Sequence, residues 1–246
     1  MLCRGVMDMI VLRKKVLLLF PVVLILLAAL FRLVYPAGRA VFAPQLSTTP
    51  IVILDAGHGG MDGGAVSSDG IVERELNLEI TKRLALLMIF CGEHVALTRI
   101  DSNDLSSPDA ATVKDQKRSD LKNRVTAINA VPNATLISIH QNSLPGHPEV
   151  YGAQVFYNSV SGSNQLAVAT QQQLNISHNA GKARIAKEID NSIYLMSEVR
   201  CPAILVECGF LSSPREAHAL CTPDYQKSLA LAITAGYLSY TNEGTL

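Results

Sequence analysis

Ile51-Val52-Ile53-Leu54-Asp55-Ala56-Gly57-His58-Gly59-Gly60 opens with four apolar, mostly β-branched residues and closes on a carboxylate, a histidine and three glycines. The same grammar recurs twice downstream, in Thr135-Leu136-Ile137-Ser138-Ile139-His140 and in Ala203-Ile204-Leu205-Val206-Glu207. Short β-branched runs without alternation read as strands buried on both faces, which is the condition of parallel strands. Open α/β sheets build their sites at the carboxyl ends of such strands. His58, His140 and Glu207 are therefore expected to converge. Glu73, at the start of a strongly helical stretch, completes a His/Glu/His set.

Between these runs the elements alternate as in a βαβ chain. Glu75 to Phe90 reads as a helix, with Leu76, Ile80, Leu84 and Leu87 on one face and Gly92 at its end. Val95 to Thr98 reads as a strand. Asp101 to Lys117 carries no periodicity and reads as a surface loop, with Ser119 or Asp120 as the N-cap of a helix through Leu121, Val125 and Ile128. Ala153 to Tyr157 is a further strand, Asn164 to Leu174 a helix, Lys182 to Asn191 a looser segment, and Pro223 to Tyr240 a closing helix. The expected fold class is α/β: one domain, residues 51–242, with a twisted, mostly parallel central sheet and helices on both faces.

Ahead of it, Arg13-Lys14-Lys15 precedes an apolar run from Val16 to Val34, broken only by Arg32. As a helix at about 1.5 Å per residue the run spans roughly 28 Å, close to a bilayer's hydrocarbon core. Residues 1–15 then form a basic cytoplasmic terminus, 16–35 a membrane anchor or a signal segment, and 36–50 a linker. A small-residue site at Val41-Phe42-Ala43 keeps cleavage open. Either way the catalytic part is expected outside the cytoplasm, membrane-anchored, or secreted if the segment is removed.

Lys+Arg and Asp+Glu are both 21 in 246 residues. With no net charge there is no basic field to hold nucleic acid, and none is expected as a partner. The five cysteines, Cys3, Cys91, Cys201, Cys208 and Cys221, have neither the number nor the spacing of a disulfide framework or a zinc knuckle and read as buried or free thiols, with one disulfide among the last three as the alternative.

His58, Glu73 and His140 are the donor set of a hydrolytic Zn2+, three ligands with a fourth position free. Glu207 stays off the metal as general base, taking a proton from water and passing it to a departing nitrogen. A carboxylate closing an apolar central strand is costly to bury without such a task. Asp55 or Asn142 is expected to orient the ligands. His94, His147, His178 and His218 lack this setting and read as structural or solvent-facing.

Several ordered motifs also resemble the zinc-dependent N-acetylmuramoyl-L-alanine amidases: Asp55 to Gly60 with Asp62, Gly64 and Ala65; Glu73 to Leu78; Leu97-Thr98-Arg99; Ser138-Ile139-His140 with Asn142; and Val206 to Ser212. The likeness runs over roughly residues 50 to 240. It implies zinc on His58, Glu73 and His140, catalysis by Glu207, and peptidoglycan as substrate, cut between the lactyl group of muramic acid and L-alanine. Tyr151 to Tyr157 and Ser192 to Met196 are similar to the spore-cortex members, which implies a part in muramic-δ-lactam formation. An activating or cortex-synthesis partner protein is open. Ala56, Gln141 and Cys208 depart from the common pattern, and none is a proposed ligand. Alternatives are another zinc hydrolase of the wall, a carboxypeptidase or deacetylase, and an inactive wall-binding protein.

Overall fold

The computed structural model describes residues 49–190 and 192–243. Six strands, β1 (Ile51–Ala56), β2 (Val95–Leu97), β3 (Ala134–Asn142), β4 (Gln154–Tyr157), β5 (Lys187–Glu188) and β6 (Ala203–Phe210), make one sheet in the order β2-β1-β3-β6-β4-β5. Helices α1 (Glu73–Phe90), α2 (Val113–Asn129), α3 (Ser163–Ser177), α4 (Tyr194–Glu198), α5 (Pro214–Leu220) and α6 (Pro223–Glu243) are interspersed. β2, β1, β3 and β6 run parallel, β4 is antiparallel to β6, and β5 is parallel to β4. The sheet is thus mixed, with its parallel half carrying the site.

The alternation of side chains along each strand sorts the core into two layers. Val52, Leu54, Ile137, Ile139, Ile204 and Val206 face α1, α3 and α6, against Leu76, Ile80, Leu84, Leu166 and Ile233. Ile53, Leu136, Ala203 and Leu205 face the other way, against Ile128 of α2 and Leu195 and Met196 of α4. Burial on both sides is why β1, β3 and β6 read as unbroken apolar runs. Ser138, His140, Leu205 and Glu207 belong by parity to the α2/α4 face.

Three readings need correction. α2 begins at Val113, inside the segment expected as loop, and Ser119 and Asp120 are interior to it. Its cap is Thr112, whose Oγ1 accepts from Asp115 N at 3.1 Å while donating to Asp115 Oδ2 at 2.6 Å. The buried positions of α2 are Asp120, Arg124 and Ile128, a polar stripe that apolar periodicity does not register. The segment 182–191 contains β5, and α4 and α5 follow unforeseen. On α1, Met88 rather than Leu87 is buried beside Leu84.

Among the described residues Cys91, Cys201, Cys208 and Cys221 are free thiols, and no helix is long and apolar enough to cross a membrane. The segment 16–35 and the linker up to residue 48 lie outside the described residues, as does Cys3.

Candidate metal centre

The carboxyl ends of β1 and β3 and the amino end of α1 bring three donors together. Ligand atoms of His58, Glu73 and His140 all lie within 4.8 Å of one another. Glu73 Oε1 is the hub: His58 Nε2 stands 3.2 Å from it and His140 Nδ1 3.1 Å. The same oxygen accepts from Gln141 N at 3.0 Å and Asn77 Nδ2 at 3.2 Å, and Oε2 accepts from Ala65 N at 2.8 Å. Burial pushes the Glu73 carboxyl up, but the two imidazoles outweigh it and hold it below the usual carboxylate range. It is an anion.

The fit of a metal follows from His58. Its Nδ1 is 2.9 Å from Asp62 Oδ2, so in the neutral ring Nδ1 carries the hydrogen and Nε2 turns a lone pair on Glu73 Oε1. Lone pair against anion is repulsive unless a positive charge lies between them. Without a metal that charge is a proton: burial pulls the His58 pKa down, yet Asp62 and Glu73 push it up to about 9. A divalent cation satisfies the same geometry. Two imidazole nitrogens and one carboxylate oxygen are the donors that suit zinc with a position left open.

The backbone around the first histidine is shaped to the cluster. His58 itself is left-handed, φ 62°. A Cβ on Gly57 would run into the His140 ring, and one on Gly64 into Glu73 Oε2 and the His58 ring. Arg124 NH2 donates to His58 O at 2.7 Å, and Arg99 Nε and NH2 donate to Ala56 O and Gly57 O at 2.8 and 3.0 Å. Two buried guanidiniums thus hold the strand end that presents the ligand.

Glu207 is the register partner of His140 across β3 and β6, so both side chains rise from one face of the sheet on adjacent strands. Its Oε2 is buried and has no hydrogen-bond partner among the described residues. Burial raises its pKa to about 7 against the pull of His140, with Glu73 adding to the rise.

Residues 52–238 match the protein family described as N-acetylmuramoyl-L-alanine amidase. The chain belongs to that family. It is 38% identical over 194 residues to the germination-specific N-acetylmuramoyl-L-alanine amidase of Bacillus subtilis (strain 168), covering 78% of this chain and 80% of the relative. Among solved structures it is similar to the CwlD amidase of Clostridioides difficile in complex with the GerS lipoprotein, with a TM-score of 0.76, 35% identity, and 79% of this chain against 100% of that one. The N-acetylmuramoyl-L-alanine amidase of Clostridium difficile 630 gives a TM-score of 0.69 at 30% identity, over 80% and 98% of the two chains. The resemblance to CwlD-type amidases read from the motifs is thereby shown.

Within this amidase site the orienting groups are not the ones expected. Asp55 is bonded to Ser138, Thr98 and Arg124 and to no ligand side chain, and Asn142 Oδ1 accepts from Ser143 N. The partners are Asp62 on His58, and Asn77 and Gln141 on Glu73. Asp62 was recoverable from its place four residues after His58, and Asn77 from its place four after Glu73 on a helix. Asp62 also pairs with Lys117 Nζ at 2.9 Å. Asp62→Ala should leave the ring free to turn and lower metal affinity about 10- to 100-fold. Chelator competition measures this; unchanged affinity would show that Asp62 serves only the Lys117 pair. His147 and His218 stand apart from the cluster in exposed pairs with Glu149 and Asp69.

Proposed function

We propose that this cell-wall amidase binds Zn2+ through His58, Glu73 and His140 and uses Glu207 as its general base and acid. The observation that carries the reading is the register pairing of Glu207 with His140, which puts an unpartnered carboxyl beside the ligand cluster. Zinc supplies Lewis acidity there, making water a better nucleophile and a carbonyl a better electrophile. Glu207 accepts a proton from the attacking water as its oxygen bonds the amide carbon. It then gives that proton to the nitrogen as the C–N bond breaks, so the peptide leaves as a neutral amine. Burial raises the Glu207 pKa from the ordinary carboxylate range, the direction needed by a group that must both take and return a proton. Asp62, Asn77 and Gln141 keep the ligands aimed.

The substrate is peptidoglycan, and the bond is the one joining the muramic lactyl group to L-alanine. Incubation of the zinc-loaded protein with peptidoglycan should release L-alanine amino termini and leave free lactyl carboxyls by mass spectrometry. A product with lost D-alanine or lost acetyl would assign the carboxypeptidase or deacetylase chemistry instead; zinc-free protein that only binds wall would mean a decayed site. Protons compete with metal for His58, which without metal holds its proton up to about pH 9, so zinc affinity should weaken progressively as pH falls below 9, with zinc content and rate falling together in acid. A rate level from pH 7 to 5 would contradict this.

The germination-specific relative and the CwlD structure support a place in spore-cortex maturation, in muramic-δ-lactam formation; muropeptides of spores with and without the protein test it. The GerS lipoprotein bound to CwlD supports a comparable partner here. Segment 16–35 as anchor or cleaved signal would deliver the domain outside the cytoplasm.

A further inference from the structure

Glu207 has the ligand cluster on its β3 side and a cavity of about 320 Å³ on its β4 side. Phe156 of β4, Leu205 of β6, and Ile189 and Ile193 form its apolar walls, and Glu207, Asn142 and Ser192 also line it. Glu188 and Asp190, both exposed, complete the lining. Neither is in an ion pair with a described residue, and Asp190 accepts locally from Ser192, at 2.8 Å from its N to Oδ1. Glu207 joins this cavity to the ligand cluster, because it lines the one and is the register partner of His140 in the other.

The direction of the reaction decides what enters. The carbonyl carbon of the amide is attacked at the ligand cluster, while its nitrogen must come within hydrogen-bond reach of Glu207 to be protonated. The bond vector therefore runs from cluster to Glu207, and the group on nitrogen continues past it. We infer that the cavity seats the departing peptide, and that Glu188 and Asp190 select a stem peptide carrying a free side-chain ammonium. This rests on the amidase reading above. Ile189, Ile193 and Phe156 hold the peptide's aliphatic portions, and the two carboxylates meet the cation where the cavity opens to solvent.

The test compares two muramoyl-tripeptides ending in a diamino acid, one with the side-chain amine free and one with it N-acetylated, using the zinc-loaded full chain in detergent. Wild type should favour the free amine about tenfold in kcat/KM, mostly through KM, the size that two exposed ion pairs supply. In E188Q/D190N the preference should drop to about twofold or less, and about 0.5 M salt should weaken it in wild type. Both replacements are on exposed side chains, and zinc content checks that the centre survives them. Equal cleavage of the two substrates by wild type, or an undiminished preference in the double variant, overturns the subsite and leaves the amidase standing. Cleavage of neither substrate by zinc-replete protein overturns the amidase reading and the subsite with it.

Discussion

Glu207→Gln is expected to lower turnover by about 10²- to 10⁴-fold while zinc content stays at the wild-type level. The replacement keeps the shape of the side chain and removes its capacity to take a proton. The carboxyl of Glu207 is not part of the donor set around Glu73 Oε1, so metal binding has no reason to suffer. Stability should hold or rise slightly, because the native carboxylate is buried beside His140 with one oxygen lacking a donor, and an amide is less costly to desolvate there. His140→Ala is the contrast: it removes a ligand and should lose metal and turnover together. Elemental analysis, kcat and thermal unfolding on the same preparations separate the two roles. A Gln variant that keeps its rate would remove Glu207 from the chemistry, and one that loses zinc would make it a ligand.

The sequence made the strand ends legible because parallel strands buried on both faces leave unbroken apolar runs, and a polar residue closing such a run stands out. His58, His140 and Glu207 were each marked in that way. Glu73 was legible as a helix start, and its part in the cluster came from its joint occurrence with the other three. The start of α2 was not legible, for its buried face begins with Asp120 and Arg124 and pattern reading treats charge as exposure. β5 escaped for a different reason: two exposed residues, Lys187 and Glu188, have no period, and only pairing with Phe156 and Tyr157 makes them a strand. Asp55 misled by proximity, since a carboxylate three residues from a ligand invites the role that Asp62 fills. What Asp55 does instead depends on Arg124, 69 positions away, which no local spacing reveals.

Arg124→Leu should destabilise the protein by about 3–5 kcal/mol at pH 7, the range for breaking a buried ion pair from one side. Arg124 is 1% exposed, and its Nε donates to both oxygens of Asp120 at 3.0 Å. NH1 reaches Asp55 Oδ1 at 2.6 Å and Ala56 O at 2.9 Å, and NH2 reaches His58 O at 2.7 Å. Leucine leaves Asp55 with only the Thr98 and Ser138 hydroxyls, and Ala56 and His58 carbonyls without this donor.

The pH dependence distinguishes this from simple loss of packing. In wild type, burial pushes Asp55 up but Arg124 and the hydroxyls bring it down to about 2. That is below the unfolded value of about 3.9, so its contribution is complete above about pH 4 and disappears as pH falls toward 2. Without Arg124 the burial effect prevails, the Asp55 pKa rises above its unfolded value, and the folded variant binds a proton the unfolded chain does not. The variant should therefore recover stability as pH falls toward 5 while wild type gains none from this group, and the gap between them should narrow. Urea unfolding at pH 7 and pH 5 measures it; a gap that is constant or widens in acid would contradict the assignment. Lysine at 124 should restore only part of the loss, since one ammonium cannot span acceptors on β1, the His58 loop and its own helix as a planar guanidinium does. Because the same guanidinium pins the carbonyl of the left-handed His58, metal affinity should fall in both variants, tying the stability of the β1–α2 packing to the aim of the first ligand.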